Sequence, residues 1–201
     1  AIRAAAFQVA SIITTAGFTT TDYHTWPLLA GTILVLLMFV GGMAGSTAGG
    51  IKMSRIVIAL KGAYINVRKL INPRYVPKAK FEGKTLEGRI INDVFAFLTL
   101  YFFILLAAIL ILSFDPVNGQ MVTVASDAGS YQVQHGFFSN FSAVVACLSN
   151  IGPAFEAVGP YSSYAGYSDF SLIVLNLTML LGRLEILPVL ILFNRRTWKK
   201  I

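Results

Sequence analysis

"SIITTAGF" (residues 11–18) and "ACLSNIGP" (residues 146–153) stand 135 positions apart and share one pattern: a helix-compatible run, hydroxyl or amide side chains, then a lone glycine, Gly17 or Gly152. Each closes a short apolar run, residues 2–13 and 137–149. Neither run reaches the about 20 helical residues that a bilayer crossing needs. A short apolar helix that stops at a glycine bend reads as re-entrant. Backbone that is neither helix nor strand is tolerated at membrane depth only where protein buries it or it lines water. The two bends therefore predict interior segments of an all-α membrane protein, and the rest of the chain has to supply the spans around them.

Composition agrees. The 201 residues are 56% hydrophobic and 12% charged, against roughly 25% charged in soluble domains. The net charge of +7 is banded: ten of the 16 basic residues lie at positions 52–89, Arg195, Arg196, Lys199 and Lys200 close the chain, and none lies between Arg89 and Arg183. Such banding follows the positive-inside rule. It speaks against a nucleic-acid surface, whose basic residues would be interleaved with aromatics on a soluble fold. Residues 28–40 with their continuation from Ile51, residues 94–114 and residues 169–193 read as three crossings. Positions 52–89 and the basic tail then face the cytoplasm, and positions 19–26 and 115–135 face outside. No charged n-region, h-region or initiating methionine opens the sequence, so it reads as a piece of a longer polypeptide.

A second offset, 140, pairs Gly42 with Gly182 and Arg55 with Arg195. The order of short helix, bend, loop and long helix thus occurs twice, which indicates duplication. Only the second copy carries a preceding span, residues 94–114.

Extended backbone in a bend can present carbonyl oxygens that replace an ion's hydration shell, and glycine permits the dihedrals this requires. Thr15, Ala16, Gly17 and Phe18 resemble the potassium-channel filter TVGYG over four positions, with Asn150, Ile151, Gly152 and Pro153 as their counterparts. Hydroxyls of Thr15, Thr14 or Ser149 either add ligands or cap their own helix ends.

"TTAGFTT" (14–20), "GGMAGSTAGGIK" (41–52), "SNIGPAF" (149–155) and "GRLEILPVL" (182–190), in this order and spacing, resemble TrkH-type subunits of the Trk/Ktr/HKT superfamily of potassium transporters. The resemblance covers essentially the whole chain. It implies membrane-pore-membrane repeats around one potassium-channel-like pore, built from re-entrant pore helices and filter loops. Residues 1–66 would be the pore helix, filter and broken inner helix of the third repeat. Residues 67–91 would be a basic cytoplasmic linker, and residues 92–201 the fourth repeat with its basic tail. The remaining pore repeats of the same polypeptide would complete the pore.

By the same resemblance the function is potassium uptake across the bacterial cytoplasmic (inner) membrane, not enzymatic catalysis. K+ is the transported ion, held at the filter through Thr15, Gly17, Asn150 and Gly152, and no covalent cofactor is implied. A homodimer and a cytosolic nucleotide-binding TrkA-type regulatory subunit are the implied partners. The basic residues at 61–89 suit either docking of such a subunit or contact with anionic membrane lipid. Family filters usually keep one glycine per repeat, and Phe18 and Pro153 stand where a second carbonyl ring would differ. Discrimination of potassium from sodium is accordingly expected to be modest.

Gly41, Gly42, Gly45, Gly49 and Gly50 crowd residues 41–50. Each disfavours a helix by about 1 kcal/mol relative to alanine, which predicts a loop within the first long crossing. Close helix packing through GxxxG spacing is the alternative. By the resemblance these glycines, with Ser46, Thr47 and Arg183, form the gate below the filter. An intramembrane charge is expensive and usually faces the interior, so Arg183 either borders the ion pathway or packs against loop carbonyls. Glu185, two residues on, would point to a different side. Lys52 and Arg55 are expected to snorkel to the interface.

Asp22 and Glu156 follow the bends and either concentrate cations at the pore mouth or sit as solvated loop carboxylates. His24 and His135 are isolated, which argues against a metal site, and Cys147 reads as a small buried hydrophobe. Gly45-Ser46-Thr47 lacks the base a serine nucleophile needs. Gly45 and Gly50 have phosphate-loop spacing, but Ile51 replaces the required lysine. A non-conducting membrane assembly subunit remains the alternative function, and it predicts that altering Gly17 or Gly152 leaves ion flux unchanged.

Overall fold

The computed structural model describes residues 2–43, 45–72, 80–81, 84–85, 88–126, 129–184, 186, 188 and 191. Helix α1 (Ile2–Ile13) is followed by a 3-10 turn at Tyr23–Thr25 and helix α2 (Leu28–Phe39). The chain then leaves helical geometry at β1 (Val40–Gly41), loops out, and returns alongside itself at β2 (Ile51–Lys52) before helix α3 (Met53–Ile71). Val40 pairs with Ile51 and Gly41 with Lys52 in parallel register. The ends of the glycine-rich segment are therefore pinned together. At 12 residues, α2 is too short to cross a bilayer by itself.

Two-residue strands β3 (Lys80–Phe81) and β4 (Lys84–Thr85) pair in the basic segment. Helix α4 (Gly88–Leu112), 25 residues, is the one described helix long and apolar enough to cross a membrane. It starts earlier and ends sooner than the span read at 94–114, so Arg89, Asn92 and Asp93 lie in its first turns. Its buried residues Val94, Phe97, Tyr101, Leu105, Ala108 and Leu112 recur every three or four positions. That stripe faces the core. On the opposite side Phe103 is 69% and Leu106 64% exposed, an apolar face suited to lipid or further apolar helices.

After α4 comes a feature the sequence reading missed. Strands β5 (Met121–Ser126) and β6 (Gly129–Gln134) form an antiparallel hairpin with Val124 opposite Tyr131. The fold is thus mostly helical rather than all-α. β-branched alternation in "VTVAS" was the available signal.

Helix α5 (Phe137–Leu148) and helix α6 (Asp169–Leu184) complete the described elements. The helix α5 lies between α4 and α6, which bury most of it from Ser139 to Leu148. The helix α1 buries only Gln8, Ser11 and Ile12. Among the described residues α1 packs mainly against α2, whereas α5 packs against α6, α4 and α2.

Duplication is visible in the backbone. Ile2–Ile13 and Phe137–Leu148 are both 12 residues long and start 135 positions apart. The 3-10 turns Tyr23–Thr25 and Tyr164–Gly166 are 141 apart, as are the starts of α2 and α6. The second offset is therefore one more than the 140 read from glycines. The longer second loop, with its extra 3-10 turn at Glu156–Val158, absorbs the difference.

Candidate functional site

Both short helices end in the same way. The amide of Thr15 donates to the Ile12 carbonyl (3.1 Å) and that of Ala16 to Ser11 (2.9 Å); Asn150 donates to Cys147 (3.1 Å) and Ile151 to Ala146 (2.9 Å). These paired bonds are Schellman caps, which need a left-handed residue just past the helix. Thr15 (φ 54°) and Asn150 (φ 55°) supply it, and Gly17 (φ 74°) and Gly152 (φ 104°) turn the backbone again two residues later. Asparagine takes this conformation readily, whereas a β-branched residue does not. Thr15 must therefore be held there by its surroundings.

The two bends meet. A Cβ at Gly17 would stand 2.0 Å from the Ile151 carbonyl oxygen. Hydrogen bonds brace them from behind: Ser11 Oγ donates to the Phe18 carbonyl (2.7 Å), Tyr164 to Gly152 (2.6 Å) and Tyr23 to Ala154 (2.7 Å). Asn150 Nδ2 donates to the Met179 carbonyl of α6 (3.2 Å). Ser149 is fully buried, with its hydroxyl 3.1 Å from that of Tyr101 on α4. Side-chain hydroxyls thus meet the backbone at several points, and at Gly152 the carbonyl is already engaged by Tyr164.

Tyr23 and Tyr164 were not singled out in the sequence, whose offsets of 135 and 140 do not pair them; they open equivalent 3-10 turns. Burial, reinforced by the neighbouring Asp22 carboxylate, pushes the Tyr23 phenol upward, so it remains a donor across the physiological range. Tyr23→Phe is expected to lower stability by about 1 kcal/mol, the usual worth of one buried hydrogen bond. Thermal unfolding in detergent, with unchanged helix content in the variant, checks this.

The glycine-rich loop meets the bends through Gly49. A Cβ at Gly49 would come within 2.1 Å of the Ser149 carbonyl oxygen, and one at Gly41 within 2.1 Å of the Gly49 oxygen. The glycines therefore serve close approach as well as breaking the helix. Thr15 Oγ1 accepts a hydrogen bond from the Gly49 amide (3.2 Å). Arg183 on α6 donates to the Thr47 carbonyl. Next to Arg183, a Cβ at Gly182 would overlap the Leu148 carbonyl at the end of α5. Ser46 is exposed, Gly42 packs against it, and Gly45 (φ 85°) makes the outermost turn. Glu185 lies outside the described residues.

A cavity of about 230 Å3 opens beside this loop, lined by Thr47, Gly50, Lys52, Arg55, Tyr101 and Arg183 among others. The Arg55 guanidinium lies over the Phe97 ring at 4.0 Å. Lys52 and Arg55 are half-buried and border this cavity. Desolvation of the stem and ring contact favour this placement.

The two carboxylates expected at an open mouth are turned inward. Asp22 is 5% exposed. One of its oxygens caps the 3-10 turn by accepting from the His24 amide (3.0 Å), and the other accepts from Tyr131 (3.0 Å). Glu156 is half-buried and accepts from Ser139 Oγ (2.8 Å) in the first turn of α5, where a helix N-terminus favours negative charge. His24 stacks on Tyr131 (4.9 Å), so the hairpin is clamped onto the first repeat's loop. Among the described residues no group of three His, Cys, Asp or Glu side chains is placed to hold a metal. Cys147 is half-buried.

His135, 2% exposed, packs edge-on against Tyr167 at 4.7 Å. Burial depresses its pKa despite the attraction of Asp115 and Glu156. A depressed histidine contributes stability above its unfolded value, about 6.5, and loses it as pH falls toward the folded value. Asp115 is also depressed: burial raises it, but hydrogen bonds from Ser168, Ser171 and the Val117 and Ser168 amides outweigh burial. Its contribution is present above about pH 4 and is lost below. Melting temperature is expected to fall between about pH 7 and pH 5.5, and His135→Gln should flatten that part of the profile.

Known proteins bear a clear likeness to this chain. The family model described as "TrkH: Cation transport protein" matches residues 1–200. The Trk system potassium uptake protein TrkH of Salmonella typhimurium is 33% identical over 199 residues, which are 99% of this chain and 37% of that protein. That of Vibrio parahaemolyticus is 36% identical over 97% of this chain and 36% of its own length. The crystal structure of the potassium transporter TrkH from Vibrio parahaemolyticus superposes with a TM-score of 0.76 at 35% identity, covering 96% of this chain and 37% of that one. The chain thus spans a little over a third of the length of these relatives.

Proposed function

Since this chain belongs to the TrkH family of cation transport proteins, we propose that it supplies two of the walls of a potassium pathway through the bacterial cytoplasmic membrane. The relatives are named potassium uptake proteins, and K+ is the transported ion in this reading. The helices α1 and α5 are pore helices that enter from the outside and stop at mid-membrane. Thr15, Ala16, Gly17 and Phe18, with Asn150, Ile151, Gly152 and Pro153, line half of a selectivity filter. Carbonyl oxygens there replace part of the ion's water shell. Residues 41–50 close the path below, held by Arg183. Asp22 and Glu156 set the shape and the negative potential of the outer mouth.

Residues 1–66 belong to a third repeat and residues 92–201 to a fourth, joined through the basic segment 67–91 on the cytoplasmic side. Further pore repeats of the polypeptide complete the ring. The protein works as a homodimer with a cytosolic nucleotide-binding TrkA-type subunit. One observation carries the reading: two 12-residue helices end in the same cap, each followed two residues later by a positive-φ glycine, and the two bends touch. A packing role would not require both helices to stop in the same cap and bring their glycine bends into contact.

The test is potassium uptake by a potassium-uptake-deficient strain expressing the complete polypeptide that carries this chain. Growth at limiting potassium and rubidium uptake that exceeds sodium uptake are the expected results. A polypeptide that reaches the membrane yet supports neither would overturn the reading in favour of a non-conducting subunit.

A further inference from the structure

The two caps differ in what their left-handed residue holds. In the second repeat Asn150 Nδ2 donates to Met179 on α6, an unbroken inner helix over its described length. In the first, Thr15 Oγ1 accepts from Gly49, part of the loop that interrupts the inner helix. The same position in the repeat therefore ties the bend to the inner helix in one copy and to the glycine-rich loop in the other. Gly49 is also trapped on its far side, where even a Cβ would overlap the Ser149 carbonyl. That residue can leave only if the Thr15 bond breaks.

We propose that Thr15 is a latch whose hydroxyl oxygen is shared between the Gly49 amide and a cation at the inner end of the filter. This rests on the filter-and-gate reading above and adds the regulation of that site. A threonine oxygen has two lone pairs. With one bound to Gly49, the loop is held shut. A cation drawn to the other lone pair pulls electron density from the same oxygen and places a positive charge near the Gly49 amide proton, so it weakens that bond. Cation occupancy then favours release of the loop, and loop closure disfavours cation occupancy, as linkage requires. Arg183 holds the other limb of the loop at Thr47, so it sets closure but not its dependence on the ion. Thr15 acts as a positioning residue for the loop.

The experiment uses the complete polypeptide in proteoliposomes, with Ala48→Cys, half-buried beside Gly49 while the loop is shut, as the loop reporter and Cys147 and other cysteines replaced. A membrane-impermeant thiol reagent is applied in potassium or in N-methylglucamine at matched ionic strength. Labelling is expected to be about five-fold faster in potassium, the factor that one net hydrogen bond is worth. Thr15→Val should label fast in both solutions, and Thr15→Ser should keep the potassium dependence. Labelling that ignores potassium with Thr15 intact overturns the latch, even if Thr15→Val fails to reach the membrane. So does a Thr15→Val protein that retains the dependence. A parallel Gly17→Ser measurement separates the two readings: if it changes potassium preference while the labelling test fails, the latch alone falls; if preference is untouched, the filter assignment falls first.

Discussion

Replacing Gly17 with alanine is expected to reduce potassium uptake by the complete polypeptide at least about ten-fold, or to bring potassium preference over sodium down by a similar factor. Ten-fold corresponds to about 1.4 kcal/mol, and two independent costs each approach or exceed it. Gly17 has φ 74°. A left-handed conformation costs a residue with a side chain about 1–2 kcal/mol. The second cost is steric: the new Cβ would stand 2.0 Å from the Ile151 carbonyl oxygen, backbone of the partner bend. A backbone oxygen cannot rotate away as the end of a flexible side chain can, so both bends must shift. At Gly152 (φ 104°) a Cβ meets nothing within 4 Å, so only the conformational cost applies. Gly152→Ala is accordingly expected to be the milder change. Equal effects at both positions, or none at Gly17 in protein shown to reach the membrane, would count against contact between the bends as the determinant of selectivity. Isotope flux in proteoliposomes with both ions gives the comparison.

Loss of Arg183 is expected to act in the opposite direction. Its guanidinium donates to the Thr47 carbonyl, and a hydrogen bond to a charged group contributes about 1.5–3 kcal/mol. Arg183 is exposed in this chain, so the lower end applies and the loop's open population should rise about ten-fold. Arg183→Gln is thus expected to raise uptake of potassium and sodium by about that factor where the loop limits flux. Deleting residues 43–50 should do at least as much. Arg183→Lys separates two accounts of the residue. If the arginine works by repelling cations, lysine keeps the block. If it works by holding Thr47, the shorter reach of a single ammonium loses most of it. The structure favours the second outcome, to be read from flux at fixed membrane potential. Unchanged flux in Arg183→Gln and in the deletion would remove the gate assignment altogether.

The two bends were legible because their signal is local. Glycine preceded by a residue able to cap or to turn left-handed, after a short apolar run, depends on few neighbours in sequence. The break in the first inner helix was legible for a similar reason: five glycines in residues 41–50 outweigh any contact that could keep a helix there. The hairpin β5–β6 was not. Its strands are stabilised by each other and by Tyr131 reaching Asp22, 109 residues away. Asp22 and Glu156 were legible as acids after the bends, but not as acids turned inward. That depends on Tyr131 and Ser139 being delivered to them by other elements.

Composition, charge banding and the doubled bend determine by themselves that this is a mostly helical chain with two capped half-length helices and an interrupted inner helix. Such features follow from backbone preference and hydrophobic length, which are properties of neighbouring residues. Only the tertiary structure decides that Gly17 abuts Ile151, that Gly49 is wedged between Thr15 and Ser149, and that Arg183 holds Thr47. Those pairs are separated by between 34 and 136 positions. Their meeting is set by how α1, α2, α5 and α6 pack around one another, and no local preference encodes that distance.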